Sequence, residues 1–575
     1  MIKGIKHIVK FSFILWIVLN LFTFYCFADN LIDREIASKS ISWRINKFIK
    51  ADSLIRGKIL GINDFHGQIA EGKVVGGRPV GGAAVLTSYL RNAQKVYQNS
   101  TFYISVGDLI GGSSPESALL QDEPTIMFFN MLGNSLCSYE DKYNELCNVI
   151  GIPGNHEFDE GIDELIRIIN GGNHINGPFL EDSYKGINFA FISSNIIYND
   201  GKPFLKPYTI KTLDNIPIGF IGAILRDAPT IVTPSAISGL EFLDEADIIN
   251  SYVNELKSKN IKSIVVLIHQ GGTQNDNGDL KGAISDIVEN LDDEVDIVLS
   301  GHSHTYINTL AKNKNGHSIL VTQAFSSGTA YSDIDFAVDK KSGDVVEKTA
   351  KIVTTYADDG PGLQPDVRVQ ELVEEVLDQV DPIINREITI SRTDITRQQN
   401  EAGESALGNL IADAQRWQMD TDFAFMNSGG IRDDIKAGVV TYGNLYSVQP
   451  FGNTLVKMEL TGKEIKELLI QQWGTDGHQR ILQISGLSYV WDASKDIKER
   501  LTNIVDNNNM PLDDKKTYSI TVNSFLADGG DGFTVLENGK NREVGPTDLD
   551  GLVNYLEQLQ APIYYTIDGR IKKTM

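Results

Sequence analysis

Apolar positions along this chain fall into two patterns. Short, nearly continuous runs rich in β-branched residues recur at 58–62, 102–106, 263–268 and 295–299, each ending in a loop that carries Gly or His. Runs this short and this branched predict buried strands. Between them, 82–96 and 244–259 carry the three-to-four-residue spacing of amphipathic helices. Strands alternating with helices predict an α/β domain over 54–357. Asp358-Asp359-Gly360-Pro361-Gly362 breaks it. From Pro365 to Asp381 the helical spacing returns, with Val369, Leu372, Val373, Val376, Leu377 and Val380 on one face, and Pro382 is expected to end it. We read 358–385 as a linker helix and hinge, and 386–575 as a second α/β unit. No internal repeat or low-complexity stretch interrupts this order.

The amino end follows neither pattern. Lys3, Lys6 and Lys10 precede an uncharged run from Phe11 to Ala28, and Cys26-Phe27-Ala28 ends it with residues suited to cleavage. Residues 1–28 therefore read as a secretory signal, with an uncleaved anchor as the rival reading. Export predicts a periplasmic or secreted protein with no stable membrane association after cleavage. Residues 29–53 read as a polar leader. Cys137 and Cys147, ten residues apart, predict one disulfide in an exported chain, two unrelated thiols being the alternative.

With 41% apolar and 22% charged residues, the chain of 575 has ample material for packed cores. Its net charge is −24, which excludes the usual electrostatic nucleic-acid binder. An anionic substrate has to be held by a locally positive site.

Histidine placement supplies the chemistry. Five of the nine histidines follow predicted strands immediately: His66, His156, His269, His302 and His304. They lie in the loops Asn63-Asp64-Phe65-His66-Gly67, Gly154-Asn155-His156-Glu157-Phe158-Asp159, His269-Gln270-Gly271-Gly272 and Gly301-His302-Ser303-His304, with Val106-Gly107-Asp108-Leu109 as a fifth loop. Loops at the carboxyl ends of strands are where α/β sheets build sites. Imidazole and carboxylate ligands without thiolates suit two divalent ions such as Zn or Mn. Asp108 could bridge them, and the ions' charge, reduced by Asp64 and Asp108, would still attract a phosphate.

These five loops, in this order, resemble the calcineurin-like metallophosphoesterases. Asn427-Ser428-Gly429-Gly430-Ile431-Arg432, Gln449-Pro450-Phe451-Gly452-Asn453 and Asn523 through Gly532 resemble the C-terminal signatures of the secreted 5′-nucleotidase family. The resemblance covers about 55–560. It implies a four-layer β-sandwich flanked by helices, a linker helix and a C-terminal α/β nucleotide-binding domain that rotates to deliver substrate. It implies that Asp64, His66, Asp108 and His304 hold one metal, and Asp108, Asn155, His269 and His302 the other. His156 and Asp159 match the family's catalytic pair. Arg432 matches a phosphate-binding arginine, Phe451 and Phe525 an aromatic pair that sandwiches the base, and Asn453 and Asp531 groups that bond base and ribose. The family's two arginines, four apart, have only Arg392 and Arg397 as counterparts, five apart, of which Arg397 is the closer match. Ser138 to Glu145 looks like an insertion that could alter access to the pocket.

The resemblance implies an exported hydrolase of nucleoside 5′-monophosphates for nucleotide scavenging. The same motifs serve nucleoside di- and triphosphates, UDP-sugars and 2′,3′-cyclic nucleotides. A non-catalytic nucleotide-binding surface protein and a dimanganese sulfur-oxidation enzyme are alternatives, the latter disfavoured by the stacking phenylalanines. Neither quaternary state nor native metal follows from the sequence.

Overall fold

The computed structural model describes residues 53–474 and 479–574. The expected signal segment, and nearly all of the expected leader, lie outside these residues. Two six-stranded sheets form the first unit. One has the order Val345–Thr354, Ala330–Asp339, Leu54–Ile62, Thr101–Val106, Val149–Ile152, Ala190–Phe191. The other runs Tyr306–Lys312, Ser318–Ala324, Val295–Ser300, Ser263–His269, Ile216–Ile224, Tyr208–Leu213. The strands that lead into the histidine loops sit centrally and pair in parallel, for example Leu60 with Tyr103 and Ile268 with Ser300.

The apolar runs are continuous because both faces of each strand are buried. Side chains alternate across a strand. Ile59, Val265 and Leu267 enter the core between the two sheets. Their neighbours turn outward under helices. Leu60 meets the cluster that includes the helices Ala83–Gln94 and Glu123–Leu132. Ile264, Val266 and Ile268 meet the helices Glu245–Ser258 and Ala283–Asn290. The result is helix, sheet, sheet, helix, the expected four layers.

The linker helix differs from expectation. It spans Val367–Ile384 and continues through Pro382. Proline lacks a donor, and so near close to the carboxyl end it removes only one of the last intrahelical bonds. Asp366 caps the other end by accepting from Val369 N. The buried stripe Val369, Leu372, Val373, Val376, Val380 and Ile384 belongs to the first unit's core cluster. The helix therefore packs on that unit, and its carboxyl end also meets the second, where Ile384 lies against Gly443.

The second unit has a five-stranded sheet ordered Gln483–Ser485, Phe423–Met426, Thr517–Asn523, Thr454–Thr461, Lys540–Thr547. The helices Ala406–Met419 and Asp548–Gln558 contribute to one core cluster, and Gly462–Gln471 to another. Cys137 and Cys147 form the expected disulfide. The loop it closes is pinned by Tyr143 Oη donating to Phe191 O at 2.9 Å and by Lys211 Nζ donating to Asn144 O at 2.8 Å. This segment lines none of the three cavities that adjoin the histidine loops. Among the described residues, no helix is long and apolar enough to cross a membrane.

Candidate active site

The five loops converge where the two sheets meet. Asp64 and His66 follow the strand Leu54–Ile62, Asp108 follows Thr101–Val106, and Asn155 follows Val149–Ile152. His269 ends its strand, and His302 and His304 follow Val295–Ser300. Asp64, His66, Asp108, His302 and His304 all have positive φ, between 49° and 72°. Non-glycine residues seldom adopt that region, and such strain gathers at functional sites. The approach is too close for a side chain at Gly154, where a Cβ would lie 2.2 Å from Asp108 Oδ1.

Two groups of donors result. One ligand atom from each of Asp64, His66, Asp108 and His304 lies within 4.8 Å of the others, as do those of Asp108, His269 and His302. Asp108 belongs to both. Asn155 Oδ1 lies 3.0 Å from His302 Nδ1, beside the second group.

The donor chemistry fits cations. His66 Nδ1 faces Gly111 O at 2.7 Å, and His269 Nδ1 faces Val106 O at 2.8 Å. A ring that donates from Nδ1 presents a bare Nε2, the ligand form of histidine. His66 Nε2 lies 3.1 Å from His304 Nε2, and the buried His269 Nε2 lies 3.1 Å from Asp108 Oδ2, the carboxylate shared by both groups, which outweighs burial and raises the His269 pKa to about 10. Burial lowers the pKa of His66 well below its ordinary value and, aided by His269, that of His302 to about 4, so both stay neutral. Convergent imidazoles and carboxylates of this kind are what paired divalent ions require.

The loops are braced from behind, by residues that sequence reasoning did not single out. Glu157 accepts from the backbone N–H of Asp108 at 2.9 Å, of Leu109 at 2.8 Å and of Gly154. Asn63 Nδ2 donates to Asp64 Oδ2 at 2.6 Å. Both lie inside the quoted motifs, but their roles appear only once the loops are folded together.

His156 Nδ1 lies 2.8 Å from Asp159 Oδ2. Burial works against protonation of this ring; Asp159 and Asp108 outweigh it and raise the pKa. The Phe451 ring stacks on His156 with centroids 5.4 Å apart and 11° between planes. A cavity of about 190 Å³ opens here, lined by His156 and His302 on one side and by Arg432, Phe451, Phe525 and Asp531 on the other. Asn453 also lines it, and its Oδ1 accepts from Ser524 Oγ at 3.1 Å. Asp531 Oδ2 accepts from Asn427 Nδ2 at 3.0 Å, and Asn427 in turn accepts from Asn523.

Arg397 lies beside a larger, more polar groove shared with His66, His304 and Arg432. Its Nη1 donates to Ile431 O at 3.0 Å. Arg392 is not brought there. It is exposed after the strand Glu387–Ser391, its backbone N–H bonded to Ile563 O, and it lines none of these cavities. Ile231, Val232 and Thr233 also line the smaller cleft. No local motif marks them, because only tertiary packing brings them in.

Residues 57–306 match the family model of calcineurin-like phosphoesterases, and 383–538 that of the 5′-nucleotidase C-terminal domain. The chain is 36% identical to the endonuclease YhcR of Bacillus subtilis over 90% of its own length, but spans only 41% of that protein. It is 32% identical to the cell wall protein Lmo0130 of Listeria monocytogenes, covering 88% of this chain and 67% of that one. The solved 5′-nucleotidase precursor of Thermus thermophilus aligns with a TM-score of 0.73 and 27% identity, over 90% of this chain and 99% of the other. With paired donor clusters in the first unit and both family models matched in order, the chain belongs to the 5′-nucleotidase family and is a metallophosphoesterase hydrolase.

Proposed function

We propose that this chain is exported and hydrolyses nucleoside 5′-monophosphates to nucleoside and phosphate. In this reading residues 1–28 direct export, 54–357 carry the chemistry and 386–575 hold the nucleoside. The carrying observation is the single cleft in which His156 and His302 face Arg432, Phe451 and Phe525. The disulfide agrees with an oxidising compartment.

Asp64, His66, Asp108 and His304 would hold one divalent ion, and Asp108, Asn155, His269 and His302 the other. Such a pair supplies Lewis acidity, neutralising phosphoryl oxygens and making water a competent nucleophile at neutral pH. His156, held by Asp159 through Nδ1, keeps Nε2 free to donate to a phosphoryl oxygen as charge builds on it. Arg432 forks onto phosphate oxygens and stays charged. Phe451 and Phe525 stack on the base, while Asn453 and Asp531 bond the base and the ribose hydroxyls. Arg397 meets phosphate oxygens from the groove side.

A second reading has a specific support. The groove beside His66 and His304 is about 540 Å³; Lys73, Arg397 and Arg432 line it together with Glu71, Glu116 and Asp433, the last of which lies 3.7 Å from Lys73. It offers room for a further group on the phosphorus, and one relative is named an endonuclease. Phosphodiester and pyrophosphate substrates would use that room.

The test is phosphate release from AMP by the purified mature chain, after EDTA and then Mn or Zn add-back, with His156→Ala alongside. Metal-dependent release that falls at least about 100-fold in the variant is expected. ADP, ATP, a UDP-sugar and a 2′,3′-cyclic nucleotide, run in parallel, decide between the readings. No release from AMP with the metals loaded sinks the monophosphate reading.

A further inference from the structure

Between the strand Ile216–Ile224 and the helix Glu245–Ser258 runs a long connection of the first unit. It leaves the sheet beside a candidate metal ligand, Leu225 N donating to His269 O at 2.9 Å. Two single tight helical turns follow, Ala228–Thr230 and Pro234–Ile237, each with proline at one of its first two positions, where a missing N–H costs no intrahelical bond. Ala228, Val232 and Ile237 are buried in the first unit's core cluster. Ile231 N and Val232 N both donate to Ala228 O at 3.0 Å, and Ala236 N donates to Thr233 O at 2.9 Å.

Ile231 and Thr233 stand between these anchors and are only half-buried. Both line the cleft, which Phe451, Phe525 and Asp531 line from the second unit. The turn Ala228–Thr230 also packs against Gly530–Gly532, the turn that carries Asp531. The segment is thus fixed from behind by apolar burial and open in front to the cavity that His156 and His302 enter.

A half-buried isoleucine on a rigid loop gains when a flat organic surface covers the rest of it, in proportion to the apolar area removed from water. The threonine beside it adds one hydroxyl that can donate and accept. Apolar walls with a few placed polar groups are how pockets select organic ligands. We propose that Ile231 and Thr233 are specificity-determining residues: they form a third wall, supplied by the first unit, against which the nucleoside of the substrate rests. The inference rests on the nucleotide reading above. In it the nucleoside touches both units at once, between Ile231 and Thr233 on one side and Phe451 and Phe525 on the other. A phosphate ester without a nucleoside meets the paired donor groups, His156 and Arg432, but leaves this wall bare. The wall therefore favours nucleotides over simple phosphate esters.

The test uses the full mature protein loaded with Mn²⁺. It compares kcat/KM for AMP with kcat/KM for glycerol 3-phosphate, which carries no nucleoside, and measures Ki for adenosine. The wild type is expected to prefer AMP. Ile231→Ala is expected to cut the ratio of the two kcat/KM values at least about 5-fold and to raise Ki for adenosine by a similar factor. Thr233→Val keeps the side chain's shape and removes its hydroxyl; a fall in the ratio of at least about 3-fold is expected, and this variant decides the matter if the other does not fold. A residue that only supported the fold would lower both substrates alike and leave the ratio where it was. A wild type that prefers AMP, with folded variants that keep its ratio and its Ki for adenosine, overturns this inference alone. A wild type that hydrolyses glycerol 3-phosphate as well as AMP overturns the nucleotide reading and this inference with it.

Discussion

At the scale of single residues, position and bracing divide the work. Glu157 touches none of the cleft's substrate-facing groups described above, yet it ties together the backbone of two loops that carry Asp108 and Asn155. Glu157→Gln places an amide donor against backbone donors. Metal affinity is expected to fall about 10- to 100-fold, the usual cost of losing an outer support. Metal content by elemental analysis, with an unchanged circular dichroism spectrum, checks this; full occupancy in the variant would refute it. Phe451→Ala removes a stacking face. KM for AMP is expected to rise roughly 5- to 100-fold, from about 1–3 kcal/mol per stacked base. Steady-state kinetics read it, and an unchanged KM would return Phe451 to mere packing. The histidines were legible because each ligand follows its strand directly and i, i+2 pairs such as His302 and His304 signal one centre. Ile231, Val232 and Thr233 were not, since no local pattern points a loop toward a cleft formed with another unit.

At the scale of elements, the strands were legible because burial on both faces leaves no polar alternation to confuse them. The linker helix was legible as a helix, but its docking was not. Its apolar stripe showed that it packs, and the sequence offers no sign of which unit receives it. Pro382 misled for a related reason: proline is costly in a helix interior and tolerable close to its end. The helix Asp548–Gln558 supplies a pH prediction. Burial raises the pKa of Asp548 at its first position from 3.8 to about 7. The folded state then holds a proton that the unfolded state releases. The corresponding stability is complete below about pH 4 and is lost as pH rises toward 7. Asp548→Asn is expected to remove that downward slope. Urea unfolding between pH 4 and 8 measures it, and identical slopes for variant and wild type would contradict it.

At the scale of the whole molecule, the donor groups join the two sheets of the first unit, since Asp64, His66 and Asp108 come from one and His269, His302 and His304 from the other. Bound ions therefore act as cross-links. EDTA is expected to lower Tm, with recovery on Mn or Zn add-back, by the equivalent of about 2.7 kcal/mol at a hundredfold excess over Kd. Differential scanning calorimetry checks it, and a Tm indifferent to chelation would speak against ions in the centre. Which face of the second unit meets this centre was not legible, because each quoted motif specifies its own loop and none specifies the docking.

Because the helix Val367–Ile384 belongs to the first core, only Asn385 and Arg386 separate it from the next strand, Glu387–Ser391. Two residues reach about 7 Å when extended. The face of the second unit that carries Phe451 and Phe525 is thus held near the paired donor groups as an intramolecular partner, at the millimolar effective concentration of a short connection. Dilution cannot separate the two halves. Contacts far too weak to join separate proteins are enough to keep the two halves together.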